Sequence, residues 1–219
     1  WFKRGFSLLQ KMNPKKQLFL TGMFRSGTTL LARMLNVHRN ITLASDPFSP
    51  IFKEFRNEIA KNIFNNSFDK EAPLNDYYFD HKQINLFNQI QVSSFDSKIT
   101  IISNKELIEK IKSHIKPYSP KIIDDLDSLL NDYYSEILKM GMAIINKSYG
   151  DENTEVVGFK EVWTNEFSPL FIKNFNNARV IHIVRDQRAV IASNYVNKLH
   201  RYPFTFLCRQ WRKLASLAW

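Results

Sequence analysis

Apolar residues fall in short dense runs near both ends of the chain and at helical spacing between them. Gln17-Leu18-Phe19-Leu20-Thr21 is an apolar run that stops at Gly22, the pattern of a buried strand. Leu30, Leu31, Met34 and Leu35 follow as a helical stripe ending near Asn36–His38. Ile41-Thr42-Leu43-Ala44 predicts a second strand, closed by Ser45-Asp46-Pro47. From Pro47 to about Gly150 the pattern changes. Asn, Lys, Phe and Tyr dominate, with helical patches near 50–65, 104–116 and 125–147. Leu126, Leu129, Leu130, Tyr133, Ile137 and Met140 make the best stripe. Glu155-Val156-Val157-Gly158-Phe159 then predicts a strand followed by Lys160-Glu161, and a helix from about Asn165 to Asn174 comes next. Arg179 to Val184 predicts a buried strand ending at Arg185-Asp186, and a helix runs from about Gln187 to Lys198. Leu207, Trp211, Leu214 and Ala218 keep helical spacing to the end of the chain.

Strands alternating with helices predict an α/β fold, three layers around a central parallel sheet. At 219 residues the chain reads as one domain. Residues 17–46 and 151–219 build the sheet, and residues 47–150 form a helical insertion. That insertion either shapes a substrate pocket or simply packs. The start at Trp1 rather than Met predicts an incomplete chain, and a closing helical pattern without a Gly or Pro stop predicts a domain incomplete at its C-terminus. In such sheets ligands gather at the carboxyl ends of the strands. Arg25, Asp46, Lys160 and Arg185 each follow a predicted strand, which points to one site.

Composition narrows the class. No apolar run approaches the roughly 18 residues of a membrane helix, and Trp1 to Lys16 lacks the apolar core of a secretory signal. Five basic and no acidic residues there leave a transit peptide or a basic chain edge as readings. Cys208 is the only cysteine, which excludes an internal disulfide and a cysteine zinc site, and none of the five histidines has metal-ligand spacing. No metal is expected, and a reducing, cytoplasmic setting fits. The net charge is +10. Residues 179–219 hold eight basic residues against Asp186, the pattern of a nucleic-acid surface, a small polyanion site or a solvated basic face.

Gly22-Met23-Phe24-Arg25-Ser26-Gly27-Thr28-Thr29 has the glycine spacing of a phosphate-binding loop, G-x-x-x-x-G-K-[ST], with Thr28 in place of the lysine. Amides of Ser26 to Thr29 at a helix start favour an anion, and the Thr28 and Thr29 hydroxyls add donors. The plainer alternative is a glycine turn with Ser26 or Thr28 capping the helix. Arg25 is the cation this loop retains. Farther along, Arg185 leaves a strand and Ser193 comes about two turns up the next helix, so both suit one phosphate group. Other readings pair Arg185 with Asp186, make Asp186 a helix cap, or make it the magnesium-holding acid of a nucleotide kinase or GTPase with a degenerate loop.

Together these pieces resemble the sulfotransferases that use 3′-phosphoadenosine 5′-phosphosulfate (PAPS). That family's [KR]-S-G-T-T-x-L segment stands here as Arg25-Ser26-Gly27-Thr28-Thr29-Leu30-Leu31. Its apolar strand followed by R-D-x-R-x-V-x-x-S stands as Arg185-Asp186-Gln187-Arg188-Ala189-Val190-Ile191-Ala192-Ser193. The resemblance covers most of the chain outside 47–150 and is closest to the tyrosylprotein and carbohydrate branch and its bacterial relatives.

The resemblance implies a P-loop-like fold and sulfuryl transfer from PAPS without a metal. Arg25, Ser26, Gly27, Thr28 and Thr29 then hold the 5′-phosphosulfate, and Arg185 and Ser193 the 3′-phosphate. Arg25 and Lys160 of Gly158-Phe159-Lys160-Glu161 stabilise developing charge. Lys160 as a surface partner of Glu161 is the simpler alternative. Asp46-Pro47 stands where that branch often carries Glu-Pro, which implies Asp46 as the base, one methylene shorter. The cytosolic branch uses a histidine, for which His81 and His114 are candidates, while His38 reads as a helix end and His182 as a strand residue. The implied acceptor bears a hydroxyl (carbohydrate, tyrosine, lipid or small molecule) or an amine, and no nucleic-acid partner is needed. A catalytically silent PAPS-binding module remains the other reading.

Overall fold

The structure is a computed structural model that describes residues 16–65, 67–71, 81–196 and 202–218. Four strands form one parallel sheet in the order β2-β3-β1-β4: β1 (Lys16–Gly22), β2 (Ile41–Ser45), β3 (Val156–Val162) and β4 (Ala178–Ile183). The central strands β1 and β3 are buried almost throughout, because both faces are covered. In this register Phe19 neighbours Phe159 and Leu20 neighbours Lys160, while Ala44 and Ser45 neighbour Phe159 and Lys160 from the other side.

Alternation along these strands divides the core. Leu18, Leu20 and Leu43 face Ala32 of α1 (Thr28–Leu35). Phe19, Ala44 and Phe159 face the opposite layer. There α2 (Ser49–Phe64) and α6 (Ser168–Asn174) contribute phenylalanines, and α5 (Tyr134–Tyr149) contributes Tyr134 and aliphatic residues. Phe19 stacks on Phe159 at 4.8 Å between ring centroids, and Phe52 on Phe167 at 4.9 Å. This layer explains much of the phenylalanine content of the chain. A third apolar group joins Met23 of the loop to Val190 of α7 (Gln187–Val196) and to Leu207 and Leu214 of α8 (Phe204–Ser216).

Between β2 and β3 the described residues carry α2, α3 (His81–Val92), α4 (Asn104–Ile115), a 3-10 segment (Pro120–Leu129) and α5, with no strand among them. The stripe from Leu126 to Met140 is not one helix. The 3-10 segment stops at Leu129, and Asn131 Oδ1 accepts from the Tyr133 amide at 3.0 Å before α5 begins. Leu130 is correspondingly exposed. The predicted helix after β3 is also divided, into a 3-10 turn (Asn165–Phe167) and then α6, because Pro169 suits only a first helical turn. The predicted stripe after Leu207 ends with α8 at Ser216, before Ala218. Lys198 lies outside the described residues. Among the described residues no helix is long and apolar enough to cross a membrane.

Gly158 is set by its neighbours in the sheet. A Cβ there would lie 2.1 Å from the Leu18 carbonyl oxygen and 2.7 Å from Leu43 Cδ2. The leucine can turn aside, but the central strand cannot. Gly158→Ala is expected to cost about 1–3 kcal/mol. The check is the midpoint of urea unfolding at constant slope; an unchanged midpoint would contradict this packing.

Candidate active site

β1 delivers the chain to Gly22, where a Cβ would lie 2.6 Å from the Ile183 carbonyl oxygen of β4. The loop then turns through Arg25 at φ 64° and Gly27 at φ 98°, both left-handed. The Ser26 amide closes this turn onto the Met23 carbonyl at 3.1 Å. Gly27 is the N-cap of α1, and no side chain caps the helix, so neither Ser26 nor Thr28 has the capping role. The amides of the first turn therefore keep the orphan donors and positive dipole end that attract an anion. Ser26 Oγ is buried without a hydrogen-bond partner. Thr28 is buried against Gly22, and Thr29 is exposed.

The second motif closes on this loop. Arg25 Nε donates to Ser193 Oγ at 3.0 Å across 168 residues of sequence. Arg185 Nη1 donates to the Arg25 carbonyl at 2.9 Å. Arg185 does not pair with Asp186. Asp186 accepts instead from the Arg188 amide at 2.8 Å and pairs with its guanidinium at 2.9 Å, which holds its carboxyl well below the usual range. It therefore takes the capping role at the start of α7. Trp211 of α8, which sequence reasoning missed, donates from Nε1 to the Arg185 carbonyl at 2.6 Å. Its position in an amphipathic stripe gave no chemical signal.

Lys160 corrects the strand boundary. It lies inside β3, not after it, and only 4% of it is exposed. Strand alternation puts it on the face of Leu20, and its ammonium is ion-paired with Asp46 Oδ2. Asp46 leaves β2 in a left-handed conformation, φ 50°, with its amide on the Lys160 carbonyl at 2.7 Å. Glu161 points to the other face, which overturns a surface Lys160–Glu161 pair. Its carboxyl accepts from the Phe48 and Ser49 amides at 2.5 and 2.8 Å and from Ser49 Oγ at 2.5 Å. Burial foremost, then the Asp46 charge, pushes Glu161 up to about 8. It anchors the start of α2 directly beneath the Lys160–Asp46 pair.

Arg25, Asp46 and Trp163 are left-handed non-glycine residues at the ends of β1, β2 and β3. Each such conformation costs on the order of 1–3 kcal/mol, and such residues cluster at working sites. Of the histidines, the His81 side chain lies outside the described residues. His38 is exposed beyond α1, where its Nδ1 accepts from the Asn40 amide. His182 sits 2.8 Å from Asn165 Nδ2, and burial pushes it down. His114 of α4 lies near Asp46. A cleft of about 320 Å³ lined by Asn36, Arg39, Tyr149 and Asp151 opens at the amino ends of the strands and holds none of the predicted site residues.

A glycine loop, an uncapped helix start and two arginines thus meet at the carboxyl ends of parallel strands. The sequence pattern of the Sulfotransferase family matches residues 17–216, from β1 through α8. The chain belongs to the sulfotransferase family. The match spans both motifs, the strand carrying Lys160 and the whole insertion. A search among curated proteins finds no match. Membership in a sulfotransferase family implies a transferase with an acceptor substrate. The parallel sheet flanked by helices agrees with the P-loop-like fold of that family.

Proposed function

We propose that the chain moves a sulfuryl group from PAPS to a hydroxyl or amine acceptor by in-line displacement. The observation that carries this reading is the junction of Arg25, Ser193 and Arg185 at the uncapped start of α1. It gathers cations and donors for two separate anionic groups, as a donor with a 5′-phosphosulfate and a 3′-phosphate requires. The buried, unpartnered Ser26 Oγ beside these groups fits such a ligand. Gly27, Thr28 and Thr29 would supply the rest of the 5′ cradle, and Arg185 and Ser193 the 3′ contacts.

PAPS brings a sulfuryl group bonded to a good leaving group. Asp46 takes the proton of the acceptor hydroxyl as the new oxygen–sulfur bond forms. Lys160 and Arg25 stabilise the charge that builds as the bond to the phosphate oxygen breaks, the kind of fixed electrostatic contribution that is often the largest in catalysis. The rival kinase or GTPase reading needs an acid directed at the loop nucleotide. Asp186 is engaged by Arg188 instead.

Thermal unfolding with ligand separates the two. The desulfated product PAP at 100 times its Kd is expected to add about 2.7 kcal/mol of stability, a rise of several degrees in Tm. ATP with magnesium is expected to add none. Stabilisation by ATP–magnesium alone would overturn the proposal. A screen of sugar, tyrosine, lipid and small alcohol acceptors with labelled PAPS then reads the transfer.

A further inference from the structure

The helical insertion also meets the sheet at the carboxyl end of edge strand β2. Ser119, just past α4, donates from Oγ to the Ser45 carbonyl at 2.9 Å and accepts from the Ser45 amide at 3.1 Å. One hydroxyl thus meets both backbone groups of the last residue of β2, on the side away from β3. Asp46 is the next residue, in its left-handed turn. His114, one turn earlier, brings its ring to the same place. Burial, the largest effect, pushes the ring down, while the Asp46 charge and the Asp46 backbone favour its protonated form. The remaining ring contact is Tyr118, at 5.6 Å between centroids.

His114 Nε2 is sealed from solvent with no hydrogen-bond partner. An orphaned buried nitrogen costs about 1–3 kcal/mol and calls for a compensating role. Nothing else in α4 supplies one. Leu107, Ile108, Ile111 and Ile115 carry its packing into the core.

We propose that His114 and Ser119 are positioning residues for Asp46: the serine fixes the end of β2, and the imidazole braces the left-handed turn that aims the carboxylate. Through this clamp the insertion sets where an acceptor hydroxyl meets its base. The role rests on reading Asp46 as that base, but the contact itself does not.

Two measurements test it on the full chain. The first is NMR titration of the His114 ring, assigned by its loss in His114→Asn. Removing the neighbouring charge in Asp46→Asn is expected to shift the His114 midpoint to lower pH. No shift would overturn the clamp whether or not the chain transfers sulfate. The second measurement uses the acceptor found with labelled PAPS. His114→Ala and Ser119→Ala are each expected to lower kcat on the order of 10–100-fold, with PAP affinity and the KM for PAPS within twofold. His114→Asn, which keeps a side-chain N–H, is expected to regain most of the loss. Turnover within twofold of wild type in both alanine variants would overturn the proposal. So would loss of PAP binding along with turnover, which marks a general scaffold role. A wild type without turnover on any acceptor counts against sulfuryl transfer, and the ring titration then decides the clamp alone.

Discussion

Asp46→Asn is expected to lower kcat by about 10²–10⁴-fold, the range of a general base, while PAP affinity stays within twofold. The separation follows from the geometry. The proposed donor contacts lie in the loop, Arg185 and Ser193, at the ends of β1 and β4, whereas Asp46 leaves β2, two strands from β1. The amide keeps the shape of the carboxylate and loses its charge and basicity. It also leaves Lys160 without its carboxylate in a nearly dry setting, so the variant is expected to melt at a lower temperature. Steady-state kinetics with calorimetric PAP binding make the check. Full turnover in the variant would remove Asp46 from the chemistry. A wild type that binds PAP and sulfates no acceptor would favour a silent binding module.

The second large effect belongs to the other half of that pair. Lys160→Ala is expected to cost about 10²–10³ in kcat, the usual loss when one fixed stabilising donor is removed. It should also destabilise the fold, because breaking a buried pair strands the remaining charge, at about 3–5 kcal/mol. The two effects can be pulled apart. The double substitution Lys160→Met with Asp46→Asn removes both charges and keeps the volume, so it is expected to be more stable than Lys160→Ala and equally inactive. Urea unfolding and turnover, measured on the same preparations, test this. If the double variant recovered activity together with stability, Lys160 would be a structural residue only.

The parts of this site visible in the sequence are those with local causes. Gly22 and Gly27 announce their turn because close approach and left-handed backbone exclude most side chains there. Arg185 and Ser193 are separated by two helical turns, so their shared face can be counted out. The place of Lys160 inside β3 is hidden in the sequence for a physical reason. A central parallel strand is covered on both faces, so its end carries no polar alternation, and β3 runs on to Val162 through two buried charged residues. Glu161 then resembled a local partner of Lys160, although neighbours along a strand point to opposite faces. α3 shows only a weak apolar pattern, and among its described side chains Leu86 and Ile90 are the fully buried ones. His114 and Trp211 reach the site through tertiary docking alone, and no spacing in the sequence marks them.

The three left-handed residues at the strand ends have a meaning for anyone who wishes to make this chain more robust. At Arg25 and Asp46, glycine is the residue the backbone would accept most easily. The chemistry proposed for the site requires a guanidinium and a carboxylate at those same positions. Relaxing the turns would trade activity for heat tolerance, the usual conflict between a stable scaffold and a working centre. Improvement by directed evolution should therefore accumulate on the outer helices and leave the strand ends as they are.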